Sequence, residues 1–355
     1  MGAQIAPLPD GPLDLVGDIH GEFEALERLL ALLGYRPDGT HPEGRRLVFL
    51  GDLVDRGTDS IAVVALVREL VEAGHAYCLL GNHELNLLLE KRREGNEWYW
   101  GETQDLHEGG RVVQALADEE TRTWIAEFLR SLPLGFERDD LRAIHACWEP
   151  ALKAKLRLVP GSADVIFREY ERRIDAGLER EHIDRRSLVA DLRRQNQNPV
   201  ALATSGVERP TLEPFWAGGR LRKVERVPWW KDYARNRTVV FGHYWRSVLD
   251  EERPVKSGPY LFEGTAPEEA LGPQGNAICV DFSVGHRNIE RAQGRAYGLD
   301  NALAALRFPE MELVFDRGDS RQIEVRPQAD SSPSPSAAAA ASSGSSPSAP
   351  SSAIS

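Results

Sequence analysis

Three phrases decide the reading of this chain: LDLVGDIHG at residues 13–21, LVFLGDLVDRG at 47–57 and AYCLLGNHE at 76–84. Each begins as a short apolar run and stops at Gly-Asp or Gly-Asn. After the first, Phe23, Leu26, Leu29, Leu30 and Leu33 recur at helical spacing up to Gly34. After the second, Thr58-Asp59-Ser60 offers N-cap chemistry for a helix from Ile61 to Val71, ahead of Gly74. After the third, a Leu-rich helix is expected to about Gly95. Run, helix, run, helix, run is a βαβαβ unit, which predicts parallel strands joined by right-handed crossovers. Ligands of open α/β sheets bind at the carboxyl ends of strands, and the polar end of every phrase falls there.

The same punctuation returns downstream. Leu141 to Ile144 leads into His145, Thr238 to Phe241 into Gly242-His243, and Ala277 to Val280 into Asp281. Ala302 to Leu306 and Met311 to Phe315 flank a Phe-Pro-Glu turn, which predicts a hairpin. Between these runs, residues 150–237 form a long charged insertion. Its first half should be helical, and its second half carries Trp216, Trp229 and Trp230 among prolines and glycines. One α/β domain is expected over 1–328. The Ser/Ala/Pro-rich segment 329–355 cannot bury enough apolar surface to offset its ordering entropy, so a disordered tail is expected there.

Bulk properties narrow the function. Hydrophobic content of 41% and charged content of 28% suit a globular enzyme with a large core. A net charge of −12 argues against general nucleic-acid or anionic-membrane binding, because the summed field repels polyanions. No apolar run reaches membrane-spanning length, and the N-terminus lacks the basic-then-apolar pattern of a secretory leader. Ala6 stands where an N-myristoylation motif needs Ser or Thr. Cys78, Cys147 and Cys279 are isolated within apolar runs, so they read as small buried thiols. A reducing, cytoplasmic setting is expected.

The residues gathered at the strand ends are Asp18, His20, Asp52, Asn82, His145 and His243. Carboxylates, imidazoles and one amide oxygen suit manganese first, with iron or zinc as alternates, better than calcium. Six donors exceed what one tetrahedral ion needs and match two ions sharing a bridge, for which Asp52 on the central strand is the natural candidate. A lone Gly-Asp after a strand is ordinarily a turn, and a lone histidine is ordinarily structural. Here G-D-x-H-G, G-D-x-x-D-R-G and G-N-H-E fix thirteen positions together, a recurrence far below roughly one in a million by chance.

These phrases, in this order, resemble the phosphoprotein-phosphatase family of calcineurin-like metallophosphoesterases. The resemblance is specific from Leu13 to Glu84, looser through His145, His243 and Asp281, and says little about the insertion. It implies a β-sandwich built around the parallel βαβαβ core and flanked by helices. Position by position, it implies that Asp18, His20 and Asp52 hold one metal ion, and that Asp52, Asn82, His145 and His243 hold the other. It further implies His83 as general acid oriented by Asp55, and Arg56 as phosphate clamp. Two-metal chemistry of this kind uses a bridging hydroxide with no covalent enzyme intermediate. The planar Arg56 fork suits equatorial phosphoryl oxygens, and an alkoxide leaving group needs the proton His83 can give.

Other residues stand further back. Members of the family often draw a second phosphate-binding arginine from the insertion, and Arg209, Arg220, Arg235 and Arg237 all qualify. Asp281 reads equally as a site residue and as a turn residue. Glu84 reads as a buttress of its loop. His107 and His286 bear no spacing relation to the motifs, and Trp98, Trp229 and Trp230 read first as packing.

Three substrate classes follow from the resemblance. Symmetrical bacterial tetraphosphatases tend to lose the second Asp of G-D-x-x-D-R-G and to read G-N-H-D. Asp55 and Glu84 therefore put a serine/threonine protein phosphatase acting on a phosphorylated protein first. A dinucleoside tetraphosphate hydrolase is the alternative, since some dinucleotide hydrolases keep this form. A nucleotide or nucleic-acid phosphatase comes third, because no kinase P-loop and no basic footprint accompany the motifs. An inactive scaffold should have lost ligands or the acid, and all are present.

Overall fold

The strand runs are mainly apolar, with Asp14 and Arg142 as exceptions, because their strands are covered on both faces. Leu13 and Leu15 point into one apolar cluster and Val16 into another; Val48 and Leu50 part from Leu47 and Phe49 in the same way. The computed structural model describes residues 3–325 apart from 106–110, 218–219, 250–258, 295–297 and 299. The tail expected at 329–355 and His107 lie outside the described residues.

The strands are β1 (Ile5–Pro7), β2 (Leu13–Val16), β3 (Arg46–Phe49), β4 (Ala76–Cys78), the short pair β5 (Gln104–Asp105) and β6 (Arg111–Val112), β7 (Gly135–Glu137) and β8 (Leu141–Ile144), then β9 (Glu208–Ala217), β10 (Arg220–Arg226), β11 (Thr238–Phe241), β12 (Ala277–Cys279), β13 (Ala304–Phe308), β14 (Glu312–Phe315) and β15 (Ser320–Gln322). One sheet runs β15-β14-β13-β2-β3-β4, with β2, β3 and β4 parallel and β13 antiparallel to β2. The other runs β1-β7-β8-β11-β12, with β8, β11 and β12 parallel and β7 antiparallel to β8. Leu13, Leu15, Val48 and Leu50 of the first sheet meet Leu141, Ala143, Val240 and Ile278 of the second in one apolar layer. The fold is the expected α/β sandwich.

Helices cover the outer faces. Helix α1 (Phe23–Leu33) ends at Gly34 in the left-handed region, and α2 (Ser60–Glu72) starts where Asp59 accepts a hydrogen bond from the Ala62 amide at 2.8 Å. Helix α3 (Asn82–Leu88) is shorter than the leucine pattern suggests. Glu90 turns left-handed at φ 56°, and the residues beyond it bond to one another rather than extending the helix. Helix α4 (Glu119–Ser131) leads to β7. The insertion opens with α5 (Leu152–Leu156), α6 (Ala163–Arg180), α7 (Leu188–Gln197) and α8 (Pro199–Ser205), as its charge pattern predicts. Its second half adds an element that the pattern did not announce, the antiparallel ribbon of β9 and β10 with an irregular register between Arg222 and Val224. Trp229 and Trp230 are buried, and Trp230 stacks on Phe262 with centroids 5.0 Å apart and planes 4° apart. All three cysteines are buried and free. Among the described residues no helix is long and apolar enough to cross a membrane.

Candidate metal centre

The chain turns sharply as it leaves β2, β3 and β11. His20, Asp52 and His243 have φ of 49°, 50° and 68°, and Asp55 and Arg56 come one after the other at 74° and 71°. Left-handed backbone costs a non-glycine residue about 1–3 kcal/mol, so surrounding structure must hold these five in place. The neighbouring glycines let the carboxylates come close. A Cβ on Gly81 would sit 2.3 Å from Asp52 Oδ1, and one on Gly242 would sit 2.1 Å from Asp18 Oδ1.

Glu84 does much of the holding. Its buried carboxylate accepts hydrogen bonds from the amides of Asp52 (2.9 Å), Leu53 (2.8 Å), Val54 (3.3 Å) and Gly81 (2.9 Å), tying the second phrase to the third. This is the buttress that the sequence suggests. Burial raises its carboxyl to about 7, and the Asp52 charge adds to the rise. Glu84→Ala is expected to lower unfolding stability by about 3 kcal/mol or more, since each buried donor left unpaired costs about 1–3 kcal/mol. Metal uptake should fall with it. Chemical denaturation and metal analysis read both effects, and an unchanged midpoint would remove Glu84 from this role.

The side chains converge in two overlapping groups. His20, Asp52 and His83 offer ligand atoms within 4.8 Å of one another, and so do Asp52, His145 and His243. Asp52 belongs to both groups: its Oδ2 lies 3.7 Å from His20 Nε2 and 3.9 Å from His83 Nε2, and its Oδ1 lies 3.4 Å from His145 Nε2. Asn82 Oδ1 is 3.2 Å from His145 Nε2. Asp18 Oδ2 is 3.9 Å from His20 Nε2, and both Asp18 oxygens accept from the His243 amide, at 3.2 and 3.1 Å. All six expected ligands therefore meet at one place. The first group takes His83 as its third member where the sequence leads us to expect Asp18, which lies beside it.

Second partners aim the imidazoles. His20 Nδ1 lies 3.0 Å from the Val54 carbonyl and His145 Nδ1 lies 2.8 Å from that of Leu50. A proton on each Nδ1 leaves Nε2 facing inward with its lone pair, the arrangement metal-ligating histidines use. Burial pushes the Asp52 carboxyl up, but His145 and then His83 outweigh it and hold it well below the usual range. Burial alone would depress His145, yet Asp52 and then Asp18 raise it to about 10. Burial and the neighbouring Asp281 push Asp18 up, and burial pushes His20 and His243 down. A pocket with this much buried negative charge calls for compensating cations. His243 Nε2 makes the fit specific: it is buried, has no hydrogen-bond partner, and faces Asp52 and His145. The two groups can hold two divalent ions bridged by Asp52.

Arg56 stands beside the first group and reaches two of its members. Arg56 Nη1 lies 3.2 Å from His20 Nε2 and Nη2 lies 3.3 Å from His83 Nε2. His83 Nδ1 lies 2.5 Å from Asp55 Oδ2. Asp281 spends both oxygens on backbone amides, Oδ2 on Trp245 at 2.9 Å and Oδ1 on Ser283 at 2.8 Å, which is the turn role. His286 packs edge-on to Trp245 at 4.7 Å.

Three residues at the site escaped the sequence reading. Trp98 is fully buried and donates its indole N–H to Asp55 Oδ1 at 2.8 Å. Trp245 has two guanidinium groups against its ring, Arg56 at 4.9 Å and Arg226 at 5.8 Å from its centre. Arg226 also donates to the His243 carbonyl at 2.9 Å. It is an insertion arginine next to the clustered residues. Arg209 is paired with Glu225, and Arg235 and Arg237 precede β11, at the opposite end of that strand from His243. Arg220 begins β10, whose other end Arg226 occupies. No spacing rule singles out Arg226, since register across an irregular ribbon is invisible in the chain.

The model of the calcineurin-like phosphoesterase family matches residues 11–243, more than half of the chain. The asymmetrical bis(5'-nucleosyl)-tetraphosphatase PrpE of Oceanobacillus iheyensis is 50% identical over 74 residues, which are 20% of this chain and 30% of that protein. The protein of the same name from Geobacillus sp. is 46% identical over 74 residues with the same coverage. The chain thus matches less than a third of the length of these relatives. A solved serine/threonine phosphatase from Saccharomyces cerevisiae aligns over 92% of this chain and 85% of its own at 16% identity, with a TM-score of 0.45, a likeness that carries no argument about activity. The family match runs from just before β2 to His243, the last of the clustered histidines, and the chain belongs to the calcineurin-like phosphoesterases.

Proposed function

We propose that this metallophosphoesterase hydrolyses a dinucleoside polyphosphate. The site in which Asp52 joins both donor groups supports two-ion phosphoester hydrolysis, and the 50% and 46% identical stretches of two asymmetrical tetraphosphatases support the substrate. The sequence alone ranks a protein phosphatase first, and the relatives reverse that order. Asp18, His20 and Asp52 would hold one ion, and Asp52, Asn82, His145 and His243 the other. Manganese is the first choice for this mixed set, ahead of iron or zinc. Bound there, the pair would supply Lewis acidity and a water acidified enough to attack phosphorus. Arg56 would take two phosphoryl oxygens in its planar fork. Arg226, which shares the Trp245 ring with Arg56, would neutralise charge further along the phosphate chain.

A phosphorylated protein is the second reading, and the His83–Asp55 pair favours it. A serine or threonine alkoxide must be protonated as it leaves, whereas a nucleotide leaves a phosphoanhydride as an already stable anion. Comparing kcat/KM for diadenosine tetraphosphate, a phosphoserine peptide and a nucleoside monophosphate, all with manganese, separates the readings. A preference of about 100-fold for the dinucleotide is expected, or ~2.7 kcal/mol of differential transition-state binding. A preference of that size for the phosphopeptide would replace the first reading with the second.

A further inference from the structure

We propose that Trp98 is a positioning residue for proton donation by His83, and so sets how well the enzyme expels poor leaving groups. The proposal rests on His83 being the proton donor of the reaction. Asp55 carries two oxygens in two different bonds. Oδ2 faces His83 Nδ1 at 2.5 Å, and Oδ1 accepts the Trp98 indole N–H at 2.8 Å. Both bonds are shut away from water, Asp55 and Trp98 being fully buried. A carboxylate held at one oxygen only can rotate about its terminal torsion, which is broad and soft. The second bond fixes that torsion and with it the plane of the imidazole.

The segment that carries Trp98 is built to hold this one loop. Arg56 donates its amide to the Gly95 carbonyl at 3.3 Å, next to the residue whose carboxylate Trp98 binds. Asn96, also fully buried, closes the segment on itself: its Oδ1 accepts from the Arg93 amide and its Nδ2 donates to the Lys91 carbonyl, both at 3.0 Å. Residues Glu97–Trp100 then form a 3-10 turn, and the Trp98 carbonyl is anchored by the Ala117 amide at 2.9 Å. From below, Ser60 Oγ accepts the Asp55 amide at 2.9 Å. Asp55 and Arg56 are the two consecutive left-handed residues of the site. The segment from 91 to 100 thus clamps the most strained step of the motif by its backbone and by one side chain. An aromatic ring alone would serve packing. The indole N–H directed at a catalytic dyad serves geometry.

The test is Trp98→Phe, assayed on two substrates in one preparation. One is an alkyl phosphate, glycerol phosphate, whose leaving group needs a proton. The other is p-nitrophenyl phosphate, whose leaving group departs as a stable anion. The expected result is a kcat on glycerol phosphate lowered about 10- to 100-fold, the loss of one hydrogen bond to a charged group. KM on both substrates and kcat on p-nitrophenyl phosphate should stay within about threefold of the parent. The ratio of the two kcat values cancels any loss of folded protein, so partial unfolding cannot imitate the effect. An unchanged ratio overturns the proposal. In an Asp55→Asn background the same substitution should leave the ratio where Asp55→Asn alone puts it, because coupled residues do not add. A further tenfold drop there also overturns it. His83→Asn run alongside keeps the two ideas apart: if it spares glycerol phosphate, the donor reading fails, and if it does not while Trp98→Phe does, only the Trp98 proposal fails.

Discussion

Asp52→Asn is expected to remove both ions and to lower kcat/KM by at least about 10³-fold on every phosphoester, since two-ion stabilisation supplies several kcal/mol of transition-state binding. The substitution preserves size and removes the charge that three imidazoles face. Oδ2 lies toward His20 and His83 and Oδ1 toward His145, so one carboxylate serves two groups of donors. Asn at this position can offer one oxygen to one ion, but not a charged bridge between two. Metal analysis of the purified variant should find well under the parent's content. Full occupancy with parental turnover would mean that Asp52 is not the bridge.

His83→Asn is expected to lower kcat on alkyl phosphates by about 10²–10⁴-fold, the usual contribution of a positioned acid. The structure gives His83 two possible employments, because its Nε2 stands within reach of His20 and Asp52 as well as Arg56. Metal content decides between them. A proton donor can be removed with the ions left in place, and the loss should then be largest for poor leaving groups. A ligand cannot, and its removal would lower ion content and depress all substrates alike. Near-normal metal with a leaving-group-dependent loss is the expected outcome. Unchanged kcat on glycerol phosphate would end the acid assignment.

Much of this was legible in the chain because the strands are buried on both faces. Leu13–Val16, Leu141–Ile144 and Thr238–Phe241 appear as short, mainly apolar runs, broken by the single charges Asp14 and Arg142, and their limits are those of β2, β8 and β11. The polar residue after each run marks the carboxyl end, so the six expected ligands could be gathered without coordinates. Short-range rules fail where a residue works at a distance. Trp98 bonds to Asp55 across 43 positions, and nothing in a Trp-Tyr-Trp sequence tells an indole that orients a carboxylate from one that fills a core. The β9–β10 ribbon was missed because its residues are mostly charged or half-exposed, leaving no clean two-residue alternation. Helix α3 stops short because Asn96 folds the chain from Lys91 to Arg93 back on itself, a contact that leucine spacing cannot reveal.

The division of the ligands between two sheets also dictates an order of assembly. His20, Asp52 and His83 all lie just beyond strands of the first sheet and within the first 83 residues, so one group can form as soon as β2, β3 and β4 pair. The other must wait for His145 and His243, which arrive with β8 and β11. On a growing chain the first group precedes the second by the time needed to make 160 further residues, the gap from His83 to His243. Contacts that distant in sequence close late. A nascent chain therefore carries the first group of donors before His145 and His243 have been made, and Asp52, the carboxylate common to both groups, is the component that waits.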